Sequence, residues 1–245
     1  MQLAVRSSGS GARTAILIHG IMSDSRAWHR VSDDLEAAGF RVLAVDLAGH
    51  GRSPRARSYS PAAWAEDVIE TLEPMLGHDA PDLIVGHSLG ALVASMVAER
   101  LAPRAAVYVD PAFAFPRGVR GLAYKLAFAV APKPRRAMLR RMNPGWSTQD
   151  IDLELSSLQA WDKRTILGLA DTRALVAPRR PRQPSLVVLA EKSLLITRTV
   201  AAAMRGDGLT VTVLPGSGHT VFRDDHAGFM GLVHGWIADH VPARV

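Results

Sequence analysis

"DLIVGHSLGALVASMVAERL" (residues 82–101) reads as an apolar strand, a sharp turn and an apolar helix. Gly86 and Gly90 bracket Ser88 in the pattern G-x-S-x-G. Glycine at those places permits a tight turn and close packing of strand on helix. Ser88 then stands at the turn, expected to be exposed, with the following helix N-terminus favouring negative charge. Strand, turn and helix in this order are the setting of a nucleophilic serine. A serine in an ordinary glycine turn is the bland alternative, and the apolar flanks on both sides argue against it.

Working outward, the same alternation recurs. Residues 14–20, 105–111, 184–190 and 209–215 are short apolar runs with the pattern of buried strands, and residues 40–53 read as another strand followed by a Gly-rich loop. Residues 27–39 read as an amphipathic helix closed by Gly39. Residues 60–76 form a helix with Ser60 as N-cap and Pro61 at its first position. Residues 225–240 suggest a closing helix. Strands alternating with helices imply an α/β fold, a mostly parallel central sheet with helices on both faces.

Residues 112–183 break that alternation. Segments 117–131, 134–142, 148–159 and 161–176 look helical, and Pro116, Pro132, Pro134, Pro144, Pro178, Pro181 and Pro184 punctuate them. This is the pattern of a helical cap (112–183) inserted into a core made of 1–111 and 184–245. A second independent domain is the alternative, but 72 residues of short, proline-broken helices bury little core alone.

Bulk properties limit the function. The net charge is +6, yet residues 112–183 hold 14 Lys/Arg against 5 Asp/Glu, so the basicity belongs to the inserted segment. A solvated arginine-rich surface is the preferred explanation, and attraction of an acidic substrate or partner the alternative. The basic stretch "PKPRRAMLRR" (132–141) contains no aromatic residue, so nucleic acid is not an expected partner. No apolar run approaches the roughly 20 residues of a membrane span. Residues 1–14 lack the apolar stretch of a signal peptide, so a cytoplasmic location is the default expectation. The absence of cysteine excludes disulfides and a thiol nucleophile. No His/Asp/Glu spacing argues for a metal, and no cofactor is expected.

Four motifs now bear on one another: "HG" (19–20), "DLAGHGRS" (46–53), "GHSLG" (86–90) and "GSGHTVFRDD" (216–225). Through them the chain resembles small, capped serine esterases and lactonases of the α/β-hydrolase fold. The resemblance implies that Ser88 is the nucleophile and that His219, after a strand, is the general base. It implies an oxyanion hole from the backbone N–H groups of Ile21, with Met22 as a near alternative, and Leu89. His19, His50 and His87 are expected to shape their loops. His234 and His240 look like closing-helix residues, and His29, His78 and His226 have no evident partner. Met22, Phe115, Tyr124 and Trp161 are candidates for the substrate pocket, and Phe113, Phe128 and Trp146 for packing the cap onto the body.

The acid is less direct. In this fold it commonly follows the strand at 184–190, where this sequence has Ser193. Asp110, at the end of the strand after the Ser88 helix, is the preferred candidate, as in some members of the fold. Pro111 is expected to hold it extended. Glu191 is the alternative acid, Ser193 a weak neutral acceptor, and Asp110 as a strand-end structural residue also remains open. The functional expectation is a serine hydrolase cleaving a carboxylic ester, thioester or lactone. C–C bond hydrolysis, perhydrolysis or a lyase or cyclase step by the same triad is the first alternative. A non-catalytic ligand-binding protein of the same fold is the second. The partner is a small-molecule substrate, and the chain is a monomer or homodimer.

Overall fold

Seven strands form one sheet: β1 (Val5–Ser8), β2 (Arg13–Ile18), β3 (Phe40–Val45), β4 (Leu83–His87), β5 (Ala105–Val109), β6 (Ser185–Ala190) and β7 (Thr210–Leu214). Their order in space is β1-β3-β2-β4-β5-β6-β7. The computed structural model describes residues 1–114, 134–169 and 176–241. All pairings are parallel except β1 with β3. The chain leaves β2 towards β3 and returns on the other side to β4, so the carboxyl ends of β2 and β4 lie side by side, with Ile18 paired to Gly86. Ligand sites of open parallel sheets form at such a reversal.

The apolar runs form strands because both sheet faces are covered. On one face Ile16, Ile18, Val45, Ile84 and Tyr108 pack under α2 (Pro61–Leu76) and α3 (Leu89–Leu101). On the other, Leu17, Val85, Val107 and Val188 pack under α1 (His29–Ala37). The closing helix packs there too, through Phe229, Val233 and Ile237. Each fully buried side chain of this size contributes roughly 1.5–3 kcal/mol. Ser60 caps α2 as expected, its Oγ accepting the Ala63 N–H at 3.1 Å.

Between β5 and β6 the described residues contain α4 (Arg136–Met142), α5 (Thr148–Ala160) and a 3-10 turn (Lys163–Leu169). A capping box between Ser147 and Asp150 starts α5. Leu139, Trp146 and Ile151 form a small apolar cluster of their own. The expected helix at 117–131, with Phe115, Tyr124 and Phe128, lies outside the described residues. The helix expected over 161–176 is instead the 3-10 turn as far as Leu169. There the Asp162 side chain takes the Arg164 N–H, and the Asp162 N–H goes to Gly49 O at 2.8 Å. Such local side-chain bonds compete with α-helix.

Three elements were not foreseen. β1 is a polar edge strand, α6 (Arg198–Gly206) follows a Thr197 N-cap, and a single turn α7 (Val221–Asp224) precedes α8 (His226–His240).

Candidate active site

Ser88 sits between β4 and α3 with φ +53° and ψ −115°, a strained conformation for a residue with a side chain. The surrounding backbone forces it. A Cβ on Gly90 would stand 2.2 Å from Ile18 O, and one on Gly86 would stand 2.4 Å from Gly90 O. Only glycine fits there, so the turn closes on β2 and on itself. The Ser88 N–H donates to Val109 O at 2.9 Å and its carbonyl accepts the Ala112 N–H at 3.0 Å. Contrary to the sequence expectation Ser88 is buried, with 6% of its surface exposed. The loop after β2 crowds it: a Cβ on Gly20 would lie 3.2 Å from Ser88 Cβ.

His19 fixes that loop. Its Nε2 accepts the Leu47 N–H at 3.0 Å and its Nδ1 lies 2.7 Å from Gly20 O. Burial holds the ring below its ordinary pKa, opposed by the nearby Asp46. Further along the loop Met22 adopts φ +69°. The loop ends at Asp24, whose carboxylate takes Arg26 at 2.6 Å and the Ser157 hydroxyl at 2.6 Å. Burial pushes the Asp24 carboxyl up, but these hydrogen bonds outweigh it and bring it down to about 2. Ile21 and Met22 are half-buried beside the elbow, and Leu89 is the first residue of α3, so its N–H has no intrahelical acceptor.

His219 stands on the loop after β7, and its Nδ1 lies 2.6 Å from Asp110 Oδ2. Asp110 is fully buried, and its Oδ1 accepts the Ala190 N–H at 3.3 Å. Asp110 is not extended, as Pro111 led us to expect: its φ is +35°. The Asp110 N–H is committed to Val188 O at 2.8 Å and the carboxylate to His219, so tertiary partners override the local preference. Aspartate tolerates this conformation better than most residues. Glu191 is exposed. Ser193 turns away: its Oγ accepts the N–H groups of Leu195 at 3.3 Å and Ile196 at 3.0 Å.

His87 joins the two halves. Its Nε2 donates to the His219 carbonyl at 2.9 Å, and the two rings lie 4.7 Å apart. Burial, then the neighbouring His219, holds its pKa well below the usual value, so it is neutral. His50 is likewise buried and neutral, held at about 3 by burial and by His19. Two histidines without an evident partner in the sequence have one here: His29 meets Asp150 at 3.0 Å and His226 meets Asp34 at 2.7 Å.

Sequence reasoning missed a polar group beside His219. Arg223 is buried, pairs with Asp150 at 3.5 Å and Glu154 at 2.8 Å, and lies 4.7 Å over the Trp146 ring. Asp224 accepts from Trp146 and from Gly218. The capping-box spacing of Ser147 and Asp150 was a usable signal; the long-range partners left none. Trp161 is buried at the end of α5, its Nε1 donating to Thr165 Oγ1 at 2.6 Å. Among the described residues no group of three His, Asp or Glu side chains converges as a metal site would require. No described helix is long and apolar enough to cross a membrane.

This geometry can be set beside known proteins. The chain is 33% identical over 157 residues to the lipase LipV of Mycobacterium tuberculosis, a match covering 60% of this chain and 57% of that lipase. It is 25% identical over 260 residues to a monoacylglycerol lipase of Mycolicibacterium smegmatis, covering 92% of this chain and 88% of that one. A solved E-2-(acetamidomethylene)succinate hydrolase superposes with a TM-score of 0.79 at 25% identity, covering 96% and 95% of the two chains. The model of the alpha/beta hydrolase family matches residues 15–231, and with the strained serine turn and mostly parallel sheet described above, the chain belongs to that family.

Proposed function

We propose that the protein is a serine hydrolase that cleaves a carboxylic ester, thioester or lactone through an acyl-enzyme. Ser88 attacks the carbonyl carbon while His219 takes its proton, and the proton returns to the leaving alcohol or thiol. Water then repeats the sequence and frees the acid. Asp110 fixes the His219 tautomer, with the proton on Nδ1, and stabilises the imidazolium. The N–H groups of Leu89 and Ile21 receive the developing oxyanion. Residues 112–183 act as a cap over this site, with Met22, Phe115, Tyr124 and Trp161 as pocket candidates. The substrate is a small molecule, and a cytoplasmic location and a monomer or homodimer fit this role.

The observation that carries the reading is the 2.6 Å contact of Asp110 Oδ2 with His219 Nδ1. A buried carboxylate on a histidine, together with a strained, glycine-flanked serine whose neighbour His87 meets that same histidine, supplies the parts that acyl transfer uses. The relatives named as lipases support an ester rather than another bond. A fluorophosphonate probe and an activated ester test it together. The parent should label and turn over, and Ser88→Ala should do neither while keeping its melting temperature. Undiminished turnover by Ser88→Ala sinks the reading.

A further inference from the structure

His219 is held from three sides. Asp110 meets its Nδ1 and His87 meets its carbonyl, both from the ends of sheet strands. The third support, Asp224, is itself tied to the helical segment between β5 and β6. Asp224 Oδ2 accepts the N–H of Gly218, the residue before His219, at 2.8 Å. Its other oxygen, Oδ1, accepts Trp146 Nε1–H at 2.8 Å. The turn at 143–146 is pressed onto this residue: a Cβ on Gly145 would lie 2.9 Å from the Asp224 carbonyl oxygen. Beside it, Arg223 enters the same segment, between Trp146, Asp150 and Glu154.

We propose that Asp224, braced by Trp146, is a positioning residue for His219, joining the loop of the base to the helical segment through one carboxylate. This rests on the reading of His219 as general base. Past Leu214 the ladder between β6 and β7 ends, and the loop at 215–220 keeps one main-chain bond to the residue after β6, Glu191 N–H to Ser217 O at 3.1 Å, so the aim of His219 depends on discrete bonds. Burial raises the Asp224 carboxyl, while the Trp146 and Gly218 N–H groups favour its ionised form. With both oxygens taken by separate donors, the carboxylate cannot rotate without losing one of them. The segment therefore has a second task beside covering the site: it sets where the base stands. A displacement of about 1 Å in a reacting group can cost on the order of a hundredfold in rate.

Two variants separate this from a pocket role. Trp146→Phe keeps the ring and removes its donor. Asp224→Asn offers an oxygen to one donor and turns an amide N–H towards the other. The measurements are kcat and KM on p-nitrophenyl acetate, the fluorophosphonate labelling rate of Ser88, and the melting temperature. Asp224→Asn should lower kcat and labelling in parallel by about 10–100-fold, with KM within about twofold. Trp146→Phe should show a smaller loss of the same form. In the W146F background, D224N should add little, because the amide is then free to point its oxygen at Gly218. Parent-like kcat in D224N overturns the proposal, as does a changed KM with unchanged kcat, or full additivity in the double variant. If D224N fails to fold, the kcat, KM and labelling rate of W146F decide by the same criteria. The underlying reading fails separately: a His219→Ala variant with parental turnover removes the base itself, whatever Asp224 does.

Discussion

Residues 82–111 and residues 134–169 are held in the fold by different forces. The first stretch contains β4, α3 and β5, with Leu83, Ile84, Val85, Leu92, Val93, Val97, Val107 and Val109 buried on two faces of the sheet. Its stability is a sum of many small, non-directional terms plus a main-chain ladder. The second stretch has one small apolar cluster. It is fastened by discrete polar bonds: Ser157 to Asp24, Tyr59 to Asp162, Trp146 to Asp224, and Arg223 to Asp150 and Glu154. Apolar burial spreads the hold over many side chains, whereas a buried polar tether concentrates it in one or two atoms. Asp24 ends the loop that carries Ile21 and Met22, and Arg223 and Asp224 lie on α7, directly after the loop that carries His219, so the segment's fit bears on the geometry of the candidate site.

The largest effect belongs to the sheet side. Asp110→Asn removes the carboxylate that faces His219, and turnover of an activated ester should fall on the order of 10⁴-fold. Glu191→Gln should stay within a few-fold of the parent. The reverse pattern in steady-state kinetics would move the acid to the β6 loop.

Next comes the polar side. Arg223→Met leaves Asp150 and Glu154 without their cation, a loss of about 3–5 kcal/mol for a buried pair. Hydrogen exchange should show faster opening in α5 while β4 and β5 keep their protection. Uniform loosening of sheet and segment would erase the contrast between the two regions.

Acid sharpens the comparison further. Asp24 falls from the ordinary 3.8 to about 2 in the folded chain, so its stabilising contribution is complete above about pH 4 and is lost as pH falls through about 2. Asp150 and Asp162 are lowered as well, Asp150 by His29 and Ser147 against its burial and Asp162 chiefly by Arg164, and they add to the same acid window. The melting temperature of the parent should drop between pH 4 and pH 2, and Asp24→Asn should start lower and drop less. Parallel curves for the two proteins would remove Asp24 from this role.

The smallest effect is expected at Ser193. Ser193→Ala loses two hydrogen bonds to the Leu195 and Ile196 N–H groups, about 1 kcal/mol of stability, and leaves kcat unchanged. A large loss of kcat at parental stability would make this serine part of the site.

Much of the fold was legible in the sequence, element by element. Apolar runs placed β2 to β7, and Ser60 with Pro61 placed the start of α2, because a buried strand and a capped helix are written within a few residues. The Ser88 turn was legible for the same reason: Gly86 and Gly90 are spelled out beside it. α6 was missed although Thr197 and Gly208 mark its ends; its buried face is Ala201 and Met204, a short apolar signal. β1 was missed because a polar edge strand carries no apolar alternation. Asp110 was reached only through the absence of an acid at 193, and its conformation was misjudged from Pro111.

The sequence by itself determined the layered α/β class and the strand–serine–helix turn around Ser88, because both are encoded by neighbours in the chain; His219 came from the resemblance to a family, and Asp110 stood as one candidate acid with Glu191 as the other. Only the tertiary structure decided that Asp110 Oδ2 meets His219 Nδ1, that Ser193 caps its own loop, that His87 meets the His219 carbonyl, and that Asp224 takes the N–H of Gly218. Apart from the local turn at Ser193, those contacts join residues 6 to 132 positions apart. Such choices are set by packing and by the partners of buried polar groups, which no local pattern records.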